Sequence, residues 1–169
     1  MADALPYTDA DPTVTELLAT HPNLKMDGVC GLLMDGVSLT AIANAVGTPT
    51  WVISADTLRT RMARLKNAMQ AAGLDVSLHY AVKANDHLAI LSLLGKEGFG
   101  ADIVSGGELA RALKAGIAAN KIVFSGVGKS DAELQEAIAH GVGQINVESA
   151  EELDIIAAIA QKLGRTATI

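Results

Sequence analysis

The sequence predicts an α/β fold, built as the first part of a (β/α)8 TIM-type barrel. Three features carry this. Short apolar runs at Ser77–Val82, Ala101–Val104, Ile122–Phe124, Gln144–Val147 and Thr166–Ile169 begin 24, 21, 22 and 22 residues apart. Helical patterns fill the intervals, with capping-box spacing at Ser130/Glu133 and Ser149/Glu152. Gly98, Gly116, Gly141 and Gly164 each stand where a helix should stop. Strands alternating with helices of this length make βαβ units and a parallel sheet. An open doubly wound sheet and a closed barrel both satisfy that pattern, and the uniform period favours the barrel.

The elements follow in order. Pro6, Pro12, Pro22 and the Asp/Thr content make Met1–Lys25 an irregular lead-in. Cys30–Met34 is apolar and precedes Asp35-Gly36, a turn signal. Ser38–Val46 reads as a short helix ending at Gly47, and Thr50–Ile53 as a brief strand. A helix from about Asp56 to Ala72 should bury Leu58, Met62, Leu65 and Met69 and stop at Gly73. In the last helical pattern, Leu153, Ile156, Ile159 and Leu163 form a stripe at 3.6 periodicity that should face the core. The domain reading is residues 1–50 as lead-in and 51–169 as barrel. Eight units of about 22 residues need roughly 176 residues, and 93 remain from Ser77 to Ile169. The expectation is therefore an N-terminal piece of a longer barrel, cut in its fifth strand.

Composition narrows the class. The chain has 169 residues, half of them hydrophobic, 19% charged, with a formal net charge of −6. A disordered chain would carry fewer apolar residues and more charge. An acidic balance argues against nucleic acid, whose phosphates require a basic face. A single cysteine, Cys30, excludes a disulfide framework and a four-thiolate zinc site. Met1–Asp11 shows no secretory signal, and no apolar run approaches the roughly 20 residues that span a bilayer. The expectation is a soluble cytoplasmic protein without metal, membrane or nucleic-acid partners.

Several residues could carry chemistry. Lys83 closes the run Ser77–Val82, and in a barrel the C-terminal strand ends face the active site. A lysine partly desolvated there becomes available as a nucleophile or Schiff-base partner; the alternative is a lysine capping a strand end in solvent. Asp102 and Ser105-Gly106-Gly107-Glu108 occupy the next strand and its exit loop. Their carboxylates could orient a ring or a protonated group, or Glu108 could serve only the first turn of its helix. Ser125-Gly126-Val127-Gly128-Lys129-Ser130 fails as a phosphate loop, because Val123 stands where the pattern needs glycine. It still ends a strand, where Lys129 or Ser125 could make a polar contact. His21, His79, His87 and His140 lack metal-ligand spacing. His79 shares a strand face with Lys83 and reads as a packing residue. Glu148 lies on the active-site side by geometry and reads as a neighbour of a helix cap.

Four segments together carry a resemblance: Tyr80-Ala81-Val82-Lys83-Ala84-Asn85, Gly100 to Leu109, Lys121 to Lys129, and Ile145-Asn146-Val147-Glu148-Ser149. In order and spacing the chain, from about Gly36 to Ile169, resembles the diaminopimelate decarboxylase family of alanine-racemase-like, fold-type III enzymes. The resemblance implies pyridoxal 5'-phosphate as cofactor, an N-terminal barrel with a C-terminal β domain, and a homodimer. It implies that the segment before the barrel belongs with that β domain. It implies that Lys83 bonds the cofactor as an imine and that Asp102 and Glu108 line its site. The implied reaction is decarboxylation of meso-2,6-diaminopimelate to L-lysine and carbon dioxide. The Ser-Gly-Gly-Glu form fits that branch better than the ornithine branch. Decarboxylation of ornithine or arginine, or a non-catalytic barrel that binds the cofactor, are the alternatives. The family's stacking histidine, phosphate loop, ring-nitrogen partner and β-domain residues fall beyond Ile169 in the family's order, so this stretch alone is expected to be inactive.

Overall fold

A computed structural model describes residues 11–169. The readings placed on residues 1–10 lie outside them. The chain falls into two compact units, the first running to Lys66 and the second Asn67–Ile169, with the division inside one helix.

The first unit corrects the irregular lead-in. Thr13-Val14-Thr15-Glu16 is a capping box. The Thr13 backbone N–H donates to Glu16 Oε2 at 2.8 Å, and the Glu16 N–H donates to Thr13 Oγ1 at 3.2 Å. It opens helix α1, Val14–Thr20. An antiparallel sheet follows, of β1 (Leu24–Asp27), β2 (Gly31–Met34) and β3 (Val37–Ser38) in that order. The first turn is held by the Asp27 carboxylate, which accepts the N–H of Val29 and of Cys30 at 2.8 and 2.7 Å. The second is the expected Asp35-Gly36 turn, with both residues at positive φ, 50° and 80°. That is the twist a two-residue hairpin loop requires. Ser38 caps α2 (Leu39–Val46) as expected. Thr50–Ile53 is not a strand: it pairs with nothing among the described residues, and Trp51 is 96% exposed. Helix α3 spans Ala55–Ala71. Of its expected apolar stripe only Met62 is buried, and Leu65 is exposed.

The second unit is a four-stranded sheet: β4 (His79–Ala81), β5 (Gly100–Ile103), β6 (Ile122–Phe124) and β7 (Gln144–Ile145). Every neighbour is parallel, and strand order equals chain order. Helices α4 (Leu88–Lys96), α5 (Gly106–Lys114), α6 (Asp131–His140) and α7 (Ala150–Leu163) alternate with them, each packing on the next. Right-handed crossovers that always step in one direction lay all helices on one face of the sheet. A doubly wound sheet would reverse direction, so this is the singly wound start of a barrel.

Alternation does the rest. Ala101, Ile103, Ile122, Phe124 and Ile145 share one sheet face and are essentially inaccessible. They pack under Leu91, Leu109, Leu134 and Ile156 of the helices, which are equally buried. Each such side chain is worth about 1.5–3 kcal/mol of burial. The other face carries Ala81, Asp102, Val123 and Gln144 in register, and it is only partly buried.

Two expectations change here. Thr166–Ile169 forms no strand: it contributes one backbone hydrogen bond, from the Ile145 N–H to the Thr168 carbonyl at 2.8 Å, and no ladder. The buried line of α7 is Glu152, Ile156 and Ala160, with Leu153 exposed. The helix is rotated from the hydropathic stripe because Glu152 has a buried partner, described below.

Candidate functional site at the strand ends

Lys83 lies in a single 3-10 turn, Val82–Ala84, directly after β4. Val82 is fully buried beneath it, and the Asn85 N–H closes the turn on the Val82 carbonyl at 3.0 Å. The Tyr80 hydroxyl donates to the Asn85 carbonyl at 3.4 Å, and burial raises the Tyr80 pKa above its usual value. Asn85 accepts the His87 N–H at 3.0 Å, and His87 Nδ1 caps α4 by accepting the Ala89 N–H at 3.2 Å. The residues after Lys83 therefore form the turn and start the next helix. Lys83 itself is exposed, with no hydrogen bond or ion pair among the described residues. Among the described residues β4 pairs only with β5.

Asp102 pairs in register with Ala81, two residues before Lys83. Its Oδ1 accepts the Ser125 hydroxyl at 2.5 Å. Ser125 also accepts the Asn146 side-chain N–H at 3.0 Å, and Asn146 Oδ1 accepts from Gln144 at 2.7 Å. Three strand ends are thus joined by side chains. Asn146 and Gln144 were not singled out by sequence; period-2 alternation along the run Gln144–Val147 is the signal that would have found them.

Glu108 does not join this network. Its Oε2 accepts the Val104 N–H at 2.7 Å, and its own N–H donates to Ser105 Oγ at 3.2 Å. It closes the β5–α5 loop and places negative charge in the first turn of α5, where the helix dipole favours it. Glu148 donates its N–H to Glu152 at 2.8 Å, the cap-neighbour role expected. His79 lies at the opposite end of β4 from Lys83; it is exposed, with its ring over Gly100.

The contact expected of Lys129 exists and is stronger than foreseen. Nζ donates to the Asn146 carbonyl at 2.7 Å and to both Glu152 oxygens at 3.0 and 3.1 Å. The two side chains are 1% and 11% exposed. Lys129 also sits 5.9 Å above the Phe124 ring. Glu152 thereby leaves the reciprocal half of its expected capping box, although its N–H still donates to Ser149 at 3.1 Å.

The donor set fits an aldehyde-bearing cofactor: an unengaged primary amine on a fixed turn, with a carboxylate on the neighbouring strand. Comparison with known proteins agrees. A family described as pyridoxal-dependent decarboxylase, pyridoxal binding domain, matches residues 55–168. A diaminopimelate decarboxylase from Zymomonas mobilis is 45% identical over 139 residues, covering 82% of this chain and 33% of that protein. A solved Aquifex aeolicus structure superposes at TM-score 0.82 and 42% identity, over 89% of this chain and 36% of the other. A diaminopimelate decarboxylase from M. jannaschii in complex with L-lysine superposes at 0.79 and 34% identity, over 87% and 35%. A lysine/ornithine decarboxylase from Vibrio vulnificus gives 0.65 and 28%, over 73% and 33%. The chain spans about a third of the length of these relatives. No helix among the described residues is long and apolar enough to cross a membrane.

Proposed function

This chain belongs to the pyridoxal-dependent decarboxylases by its pyridoxal-binding domain, and from that premise we propose that it holds the cofactor in an enzyme that converts meso-2,6-diaminopimelate to L-lysine and carbon dioxide. The observation that carries the reading is Lys83, unengaged on its turn and one strand from Asp102. Residues 51–169 are read as the barrel part, and residues 1–50 as a lead-in that belongs with another domain. The family resemblance supports a homodimer in the cytoplasm. The preference for diaminopimelate over ornithine or arginine rests on Ser105-Gly106-Gly107-Glu108 and on the higher identity to diaminopimelate decarboxylases.

When bound, pyridoxal phosphate supplies the electron sink that decarboxylation of an amino acid requires. Lys83 would supply the amine that holds it. Asp102, held by Ser125 on the neighbouring strand, would supply a carboxylate to the cofactor site. Glu108 keeps the β5–α5 loop closed at the rim of the site. Arginine cannot replace Lys83, because a guanidinium stays protonated and forms no imine.

Borohydride reduction of the cofactor-loaded protein, followed by peptide mass analysis, should place the pyridoxyl group on Lys83. In the complete enzyme, Lys83→Ala should abolish that label and turnover. A label on Lys96, Lys121 or Lys129 with Lys83→Ala still active would overturn the assignment. Carbon dioxide released equally from ornithine and diaminopimelate in competition would overturn the substrate.

A further inference from the structure

We propose that Ser125 is a positioning residue for this reaction, acting through Asp102; the inference rests on the reading above. Ser125 directly follows β6, and its backbone N–H continues the ladder to the Ile103 carbonyl at 2.8 Å. Its Cα is therefore set by the sheet, not by a loop. The hydroxyl has one proton, and it goes to Asp102 Oδ1 at 2.5 Å. That is the short range of a charge-assisted O–H···O⁻ bond. The hydroxyl oxygen then faces Asn146 Nδ2 at 3.0 Å.

The orientation of Asn146 is itself constrained. Its Oδ1 accepts from Gln144 Nε2 at 2.7 Å, which leaves Nδ2 as the donor toward Ser125. Its backbone N–H bonds the Phe124 carbonyl at 2.8 Å. The bonds therefore run one way, from Gln144 through Asn146 and Ser125 to Asp102. Bonds aligned in this direction polarise one another and strengthen the last, at the carboxylate. Asp102 Oδ1 is occupied on the β6 side, while Oδ2 has no hydrogen-bond partner among the described residues. On the β4 side its register neighbour is Ala81, two residues before Lys83. A carboxylate held this way keeps one oxygen for whatever is bonded to Lys83. A negative charge there favours the protonated form of the Lys83–cofactor bond.

The test uses the complete cofactor-loaded enzyme and three readouts: kcat, KM, and the pH midpoint of the bound cofactor's visible absorbance. One hydrogen bond to a charged group carries on the order of a tenfold effect. Ser125→Ala should lower kcat about tenfold with little change in KM, and move the midpoint down by about one pH unit. Ser125→Thr, which keeps the hydroxyl, should restore both. Asn146→Leu, which leaves Ser125 in place, should shift the midpoint the same way by less; it also serves if Ser125→Ala does not fold. An unmoved midpoint in Ser125→Ala and Asn146→Leu, with Asp102→Asn moving it, would overturn the role of Ser125 and leave the cofactor site standing. An unmoved midpoint in all three, with no borohydride label on Lys83, would overturn the site itself and this inference with it.

Discussion

Replacing Lys129 by methionine removes the charge from the buried pair and keeps its volume. In the native protein Nζ makes three contacts, at 2.7, 3.0 and 3.1 Å, and the side chain is 1% exposed. Without it the Glu152 carboxylate keeps only the N–H of Glu148, and the Asn146 carbonyl loses its ammonium partner. Breaking one half of a buried pair costs roughly 3–5 kcal/mol, because the remaining charge stays uncompensated. Urea unfolding followed by far-ultraviolet circular dichroism is the assay. Fluorescence would report poorly, since the single tryptophan, Trp51, is exposed in the other unit. With a slope of about 2 kcal/mol per molar urea, the midpoint should fall by about 2 M. Lys129→Met combined with Glu152→Leu removes both charges, and such replacements are neutral to stabilising by about 1–4 kcal/mol. The double variant should therefore be more stable than Lys129→Met alone. A Lys129→Met midpoint within about 0.5 M of the native one, or a double variant weaker than either single, would refute this account.

Three further perturbations separate other contributions. The N–H groups of Gly106 and Ser130 hold the Glu133 pKa below its ordinary 4.5. Its contribution is complete above that value and fades as pH falls through the lower folded-state value. Glu133→Gln should flatten the acid limb of stability below about pH 4.5, by less than about 1 kcal/mol because the group is mostly solvated; unfolding midpoints between pH 3 and 7 measure it. Gly143→Ala would drive a methyl into the Asn120 backbone oxygen, which no rotamer change relieves. It should cost about 1–3 kcal/mol or more. Gly107→Ala meets only Ser105 Oγ at 3.8 Å inside α5 and should be neutral or stabilising by up to about 1 kcal/mol in thermal unfolding.

Much of the second unit was readable because its signals are local. Each strand is a short apolar run, and Gly98, Gly116, Gly141 and Gly164 all take the positive φ, 61° to 90°, that ends a helix. Glycine adopts that region without the Cβ penalty other residues bear. The first unit was harder. Thr13-Val14-Thr15-Glu16 is a capping signature in plain view, but it sits between prolines and acids that suggest irregular chain. Val37–Ser38 is too short to show any period, and only its pairing with Leu33 and Met34 makes it a strand.

The site was half legible for a different reason. Which residues end each strand follows from chain position, so Lys83, Asp102 and Ser125 could be named. Which of them touch depends on register between strands 21 or more residues apart. Hydropathy also marks Glu152 as a surface residue. Only the ammonium of Lys129, 23 residues earlier, makes its burial tolerable, and that turns α7 away from its apolar stripe.

Successive units are stitched by glutamates in the first turns of their helices. Glu133 of α6 reaches back 27 residues to the Gly106 N–H at 2.8 Å. Glu152 of α7 reaches back 23 to Lys129. These two rim loops are therefore each completed by the unit that follows. A single loop is not an exchangeable cassette: transplanting one from a relative would strand the acid sent by the next, or leave a graft with no acid to receive. The smallest portable piece is a loop together with the following helix start. Positions 106 with 133, and 129 with 152, should drift in pairs when such proteins diverge or are recombined.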